Sequence, residues 1–473
     1  MAVDEFSVPA HVAKKLKELG YAVDTSMDAY IRSWYGWYSG RDDWYRDGYR
    51  DLQGRHRARM RMSIRPAKRV AMEWASLLVT DDTQVSVEGA GANDWLQKWL
   101  KRANFWPTGQ MVVEKAFAMG TAAWALWFDL GAGGAGIKVR RYDARMVRPL
   151  SWDEEGVSEC AFVTRAAVAG RRVDQLQVHA PDPETGTYHI RTYLFSEGEE
   201  QDAEAAGVIA DFDTLQDCPT FGIIKPALEN TVVDLSPFGQ SVFADALDAI
   251  KAVDLAYDSL FQEVELTAAK VFVDESMVDV RSQDGRVIPS PRVEGRLFRR
   301  LAGQDPTKNL ISIYSPEIRV EPLRGAFDVA LAELGDLCGF GQQYFTLDKN
   351  GGIKTATEVA ADNSALMRNV RKHENVLRGA VQRVVTSLLN CVRIHYGAPI
   401  DGAPIEEDFG PVQVQFDDSV IADTQTEKNM ALAEIAALGV PELKQRYLID
   451  WHGFSEEEAA AAVPSSQLLD EGF

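Results

Sequence analysis

The residue types that could do chemistry are scattered along this chain of 473 residues rather than gathered. Its seven histidines (His11, His56, His179, His189, His373, His395 and His452) have no metal-ligand spacing, and no HExxH, GxSxG or GxxxxGK[ST] segment occurs. Adjacent carboxylates such as Asp42 with Asp43, or Asp211 with Asp213, are common among 71 acidic residues and define no acid–base pair. Cys160, Cys218, Cys338 and Cys391 lack CxxC spacing, which argues against a disulfide framework or a structural zinc site and for buried small apolar residues. Gly131, Gly133 and Gly136 match GxGxxG formally. A dinucleotide fingerprint needs a helix after the glycines, however, and IKVRRYD reads as a strand, so the segment is a long hairpin turn. No catalytic residue, no metal and no cofactor is expected, and the chain reads as a non-enzyme.

Rings and cations make the next candidate. Tyr30, Trp34, Tyr35, Trp37, Tyr38, Trp44 and Tyr45 are followed by Arg55, Arg57, Arg59, Arg61, Arg65, Lys68 and Arg69. Interleaved in this way they could stack bases and hold phosphates. Alternatively, Met60, Met62, Val70, Met72, Trp74 and Leu77 are the buried face of a helix whose outer face is charged. The net charge of −21 argues against a surface that grips nucleic acid throughout. That charge is uneven: residues 398–473 carry 16 acidic against 3 basic residues, whereas 354–397 carry 7 basic against 3 acidic.

The elements that would position these groups can be read from periodicity. TAAWALWFDL, IKVRRYD, AFVTRAAV, RVDQLQVHA and TYHIRTYLF, with turns such as PDPETG between them, predict an antiparallel meander. After Pro237 a long helix is expected, capped by Ser241, with Phe243, Leu247, Ile250, Tyr257, Phe261 and Val264 as its stripe. Residues 271–323 break into short strand-like pieces with 8 basic and 8 acidic residues; a helix resumes near Phe327. Residues 351–397 then read as one helix of roughly 40 residues, about 60 Å long, with Leu366, Val370, Leu377, Val381, Val384, Leu388 and Val392 on its apolar side. A helix of that length must span something or pack against copies of itself. With 46% apolar residues the chain can bury a large core in two to four units. No segment is long and apolar enough to cross a bilayer, and MAVDEFSVPAHVAKKL lacks a signal-peptide core, so a soluble protein made in a cytoplasm, with no membrane partner, is expected.

This order of elements resembles that of tailed-bacteriophage portal proteins, over nearly the whole chain. The pieces most similar to portals of phages with long non-contractile tails are GQSVFADALDAIKAVDLAYDSL, the GIKTATEV start of the long helix, and the aromatic N-terminal region with RDDWYRD and WASLL. The resemblance implies an α+β portal fold assembled as a ring, normally of twelve subunits, at one capsid vertex. Residues 1–238 would be the N-terminal part of the wing, 239–270 a stem helix, 271–323 the clip and 324–341 the second stem helix. Residues 342–354 would be the tunnel loop, 355–420 the long wing helix and a returning strand (VQVQFDD), and 421–473 the crown.

As partners the resemblance implies duplex DNA in the channel, the large terminase, the major capsid and scaffolding proteins, and head–tail adaptor proteins, with the finished ring in the virion. In that frame Asp245, Asp248, Asp254 and Asp258 would line the channel and repel the duplex. Gln342, Gln343, Lys349, Asn350, Gly351, Gly352 and Lys354 would form the tunnel loop, whose lysines could touch phosphates transiently. An ordinary helix connection with two glycines accounts for the same loop residues. Another ring-forming neck adaptor or tail component is the competing reading of the whole.

Overall fold

Apolar–polar alternation from residue 147 onward is realised as an antiparallel meander of β6 (Val147–Asp153), β7 (Gly156–Val168), β8 (Arg171–Pro181), β9 (Tyr188–Ser196) and β10 (Glu199–Gln201), with β11 (Asp211–Asp213) also pairing β9. This is a computed structural model, mixed α+β in class, and it describes residues 6–50, 54–80, 82–128, 136–168, 171–267, 270–274, 281–283, 286–288, 297–300, 311–345, 356–396, 404–416, 431–432, 434–435, 439–452, 459 and 462–463. The chain divides into two compact units.

The first unit comprises Met1–Met27, Met72–Gln240 and Gly351–Phe473. Beside the meander lies a three-stranded sheet in the order β12 (Phe221–Ile224), β4 (Ala122–Phe128), β5 (Ile137–Asp143). β5 runs antiparallel to β4 from the end of the glycine-rich stretch, so a strand and not a helix follows those glycines. Ala123, Ala125, Tyr142, Cys160, Phe162 and Phe221 fill the space between the two sheets. On the meander's far side Val12 and Leu16 of α1 (Ala10–Glu18) pack against Leu176, Val178 and Phe195.

The long helix, α8 (Ala356–Tyr396, 41 residues), crosses β12 and β4. All seven residues of its expected stripe are buried. Gly222 of β12 permits this approach, since a Cβ there would lie 2.4 Å from the carbonyl oxygen of Ala380. α4 (Ala90–Arg102) and α5 (Phe105–Met119) complete the unit with a short ribbon of β3 (Gln84–Ser86) and the returning strand β18 (Gln413–Gln415). That strand therefore rejoins this unit through β3 rather than through the meander. The Glu406 carboxylate accepts the Gly91 and Ala92 N–H groups at 2.8 and 2.9 Å, capping the start of α4, and these bonds hold its carboxyl below the usual range. Of the last residues, α9 (Pro441–His452) is helical.

The second unit comprises Asp28–Ala71 and Ser241–Asn350. α2 (Asp28–Ser39) buries Ile31, Trp34, Trp37 and Tyr38, and the rings of Trp37, Trp44 and Tyr45 meet at 5.2–5.7 Å between centroids. Most of the early aromatic residues are thus core and cannot stack bases. The expected helix through Met60 is not there: β1 (Arg46–Arg50) and β2 (His56–Met60) form a hairpin, and Met60 and Met62 are exposed. Helix begins only with α3 (Pro66–Leu78), because Arg65 takes a left-handed backbone (φ 54°) and Pro66 fits a first helical turn.

A 3-10 turn at Ala244–Ala246, not an α-helical one, follows Ser241, and α6 runs Leu247–Thr267. Between α6 and α7 (Val320–Leu337) lie β13 (Lys270–Asp274), β14 (Arg281–Gln283), β15 (Arg286–Ile288), β16 (Leu297–Arg300) and β17 (Ile311–Tyr314). β13 is the centre of a three-stranded sheet, parallel to β16 and antiparallel to β17; β14 and β15 form a hairpin. The strand-rich, turn-rich insert is thus present between two helices. Residues 28–71 pack with 241–350.

Candidate functional site

The second unit holds the residues expected to face a channel. α6 and α7 run antiparallel: Glu263 near the end of α6 accepts two bonds from the Arg319 guanidinium (2.9 and 2.8 Å) just before α7, while Tyr257 meets Phe327 further along both helices at 6.1 Å. The Arg319 bonds hold the Glu263 carboxyl below its ordinary range. Expected stripe residues Phe243 and Ile250 are buried, whereas Phe261 and Val264, towards the other end, are exposed.

The four acids of α6 and its approach separate into two pairs. Asp245 and Asp248 are exposed, and Asp248 accepts a 2.9 Å bond from Lys251. Asp254 and Asp258 are buried. Asp254 accepts from the Ser63 hydroxyl (2.8 Å), the Ile64 N–H (3.0 Å) and the Tyr45 hydroxyl (3.1 Å). Burial pushes its carboxyl up to about 6, against the downward pull of those bonds. Asp258 accepts from Arg59 and, at 3.0 Å, from the Met62 N–H; burial raises its carboxyl, but these bonds and one from Gln262 outweigh it and leave the group below the usual range. Spaced by four, the two carboxylates share a helix face, and that face is taken by the stretch Arg59–Ile64. Of the four acids expected to line a channel, Asp254 and Asp258 are bonded within the chain and Asp245 and Asp248 are exposed.

Arg59, Ser63 and Tyr45 were not singled out as partners of these acids. A usable signal existed, since Arg55, Arg57, Arg59 and Arg61 alternate with period two, the mark of one cationic strand face.

At the far end of α7 the chain turns back on itself. The N–H groups of Phe340 and Gly341 donate to the carbonyl of Gly335 at 2.9 and 3.1 Å, and Phe340, Tyr344 and Phe345 cluster at 4.7–5.1 Å. Gln342 and Gln343 are exposed on that turn. Lys349, Asn350, Gly351, Gly352 and Lys354 lie outside the described residues. Among the described residues no group of three or more His, Cys, Asp or Glu is placed to hold a metal ion, and no helix is long and apolar enough to cross a membrane.

In the second unit two antiparallel helices bracket a small β insert, and in the first a long helix covers an antiparallel sheet. The family model described as phage portal protein, SPP1 Gp6-like, matches residues 27–462, and the chain belongs to that family of structural, non-enzymatic virion proteins. No curated protein sequence matches it. Among solved structures it is similar to a chain of the virion of a native gene transfer agent particle (11% identity, 85% of this chain and 89% of that one, TM-score 0.39). It is similar too to a chain in the neck of the native particle computed with C12 symmetry (12%, 85% and 89%, 0.35) and to one in the neck of the empty particle computed with C6 symmetry (11%, 85% and 90%, 0.38).

Proposed function

We propose that this chain is one subunit of a ring, normally of twelve, through which duplex DNA enters and leaves a phage capsid at a single vertex. The family match over residues 27–462 carries the reading. The second unit supports it: α6 and α7 leave large apolar residues exposed, among them Leu255 (52%), Val264 (50%), Val329 (61%) and Leu337 (55%), a pattern suited to burial against neighbouring copies. Asp245 and Asp248 would lie on the channel side, where a sliding duplex is better repelled than gripped. The strand insert would be the clip that meets the large terminase during packaging and head–tail adaptor proteins afterwards. The first unit would provide the wing that meets capsid and scaffolding proteins.

Light scattering on the purified chain, followed by electron micrographs, tests this. From a subunit of 52.4 kDa a ring of about 0.6 MDa is expected, stalked and with a channel roughly 20 Å or more across. A monomer at micromolar concentration in moderate salt contradicts it, and a ring without a stalk indicates an adaptor instead.

A further inference from the structure

β5 ends the sheet β12–β4–β5, and among the described residues its outer edge pairs with no strand. Two grooves meet along that edge. One, of about 240 Å³, is lined by Met111, Val112, Lys115, Arg141, Tyr142, Asp143 and Met146. The other, of about 460 Å³, shares Arg141 and Met146 and continues to Arg145, Val163, Arg165 and Asp174. Lys115, Arg141, Arg145 and Arg165 thus border the edge against two acids, a local cationic excess in a chain of net charge −21.

Two of the four cations are already held in ion pairs. Arg145 grips Asp143 with bonds of 3.1 and 2.7 Å, and Arg165 reaches Asp174 at 3.2 Å, which His11 also meets at 3.0 Å. Arg141 is exposed and makes only a long 3.4 Å bond to the Thr108 carbonyl. Charged side chains on an edge strand usually keep other strands away. Here Arg140 is withdrawn from that task, its guanidinium 3.4 Å above the Trp127 ring and bonded to Gln175 at 3.2 Å. What is left is a strand edge unpaired among the described residues, apolar hollows lined by Val112, Met146 and Val163, and one exposed guanidinium where the hollows meet.

We propose that the outer edge of β5 captures an extended, carboxylate-bearing peptide segment of a partner protein, which adds to the sheet as a strand with its acidic side chains towards Arg141. Main-chain bonds would hold the strand, while the cations and the hollows on either side select alternating acidic and apolar side chains. A nucleic acid would use the cations but neither the strand edge nor the apolar floor. The inference does not depend on the portal reading, since it concerns the first unit alone.

The test uses the full-length protein in its native assembly and a fluorescein-labelled peptide of alternating aspartate and valine, read by anisotropy. Binding is expected, weakened at least about ten-fold by Arg141→Ala, which removes a charge-assisted bond, and partly kept by Arg141→Lys. It should be lost when alternate amides of the peptide are N-methylated or when lysine replaces aspartate. Arg141 is exposed, so the variants should fold, as circular dichroism can verify. Equal binding of the N-methylated peptide, no effect of Arg141→Ala, or displacement of the peptide by a short single-stranded oligonucleotide would each overturn the proposal.

Discussion

Asp254, in the middle of α6, accepts a 2.8 Å hydrogen bond from the hydroxyl of Ser63, 191 residues earlier in the chain. With the Ile64 N–H and the Tyr45 hydroxyl on the same carboxylate, one buried acid ties the N-terminal aromatic cluster to α6. The α6 face that carries Asp254 is thus used for folding.

That acid sets a pH dependence. Burial lifts the folded carboxyl to about 6 from an ordinary 3.8, so between those values the folded chain holds a proton that the unfolded chain has released. Stability from this group is therefore present below about pH 4 and falls as pH rises through 6, by up to about 3 kcal/mol. Asp254→Asn never carries the charge, and hydroxyls at Ser63 and Tyr45 can turn to accept from its amide. Relative to the parent, this variant should gain stability between pH 4 and 7 in urea unfolding followed by tryptophan fluorescence. A difference that stays constant with pH would show that the carboxylate is not the source.

The first unit carries the opposite sign. His373 is buried between Trp74 and Phe117, and its Nδ1 accepts the Ala227 N–H at 2.9 Å; burial lowers its pKa to about 4 and holds it neutral. Below pH 6.5 the unfolded chain takes a proton that the folded chain refuses, and stability drains by about 3 kcal/mol down to pH 4. His179, buried and lowered to about 3, acts in the same direction. His373→Phe should lose roughly 1–3 kcal/mol at pH 7.5 by orphaning the Ala227 N–H, while making the acid limb shallower. Parallel pH curves for variant and parent would place the acid lability elsewhere.

Long local patterns made α8 and the meander legible, because a stripe at helical spacing and strands bounded by turns need no distant partner to be recognised. Where neighbours decide, the reading failed. Met60 and Met62 look like a continuation of the helical stripe through Val70 and Trp74, but a left-handed Arg65 and the following Pro66 start the helix afresh. Likewise nothing local distinguishes Asp248, exposed, from Asp254, buried; the difference lies in donors brought from residues 45–64. The lysines and glycines of 349–354 lie outside the described residues, so their role rests on type and spacing alone.

Close approach, not conformational freedom, explains the glycine of β12. Gly222→Ala would place a methyl carbon 2.4 Å from the Ala380 carbonyl oxygen and 2.9 Å from the Val384 side chain, both on the helix that covers the sheet. Backbone cannot yield as a flexible side chain can, so a loss of about 1–3 kcal/mol is expected, with faster amide exchange along α8. Unchanged stability would mean that α8 is free to shift on the sheet.

If residues 342–354 act as the proposed tunnel loop, Lys349→Ala with Lys354→Ala should leave ring formation and capsid incorporation intact and lower packaging rate or retention of packaged DNA. The reasoning is chemical: lysine contacts phosphate without reading sequence, and paired glycines let a loop change shape. Packaging and retention at parental levels would remove both lysines from the mechanism.

The last prediction separates a structural ion pair from a binding one. Arg59 donates to Asp258, whose side chain is 1% exposed. Removing the arginine leaves a buried carboxylate with only the Met62 N–H and Gln262 as partners, and breaking a buried pair in this way costs about 3–5 kcal/mol. If the pair serves only folding, Arg59→Met should destabilise strongly, while Arg59→Met combined with Asp258→Asn should recover much of the loss. A double-mutant cycle in urea unfolding measures this directly. Additive effects would show that the two side chains act separately, and Arg59 would then belong with the exposed cations of the hairpin rather than with the fastening of α6.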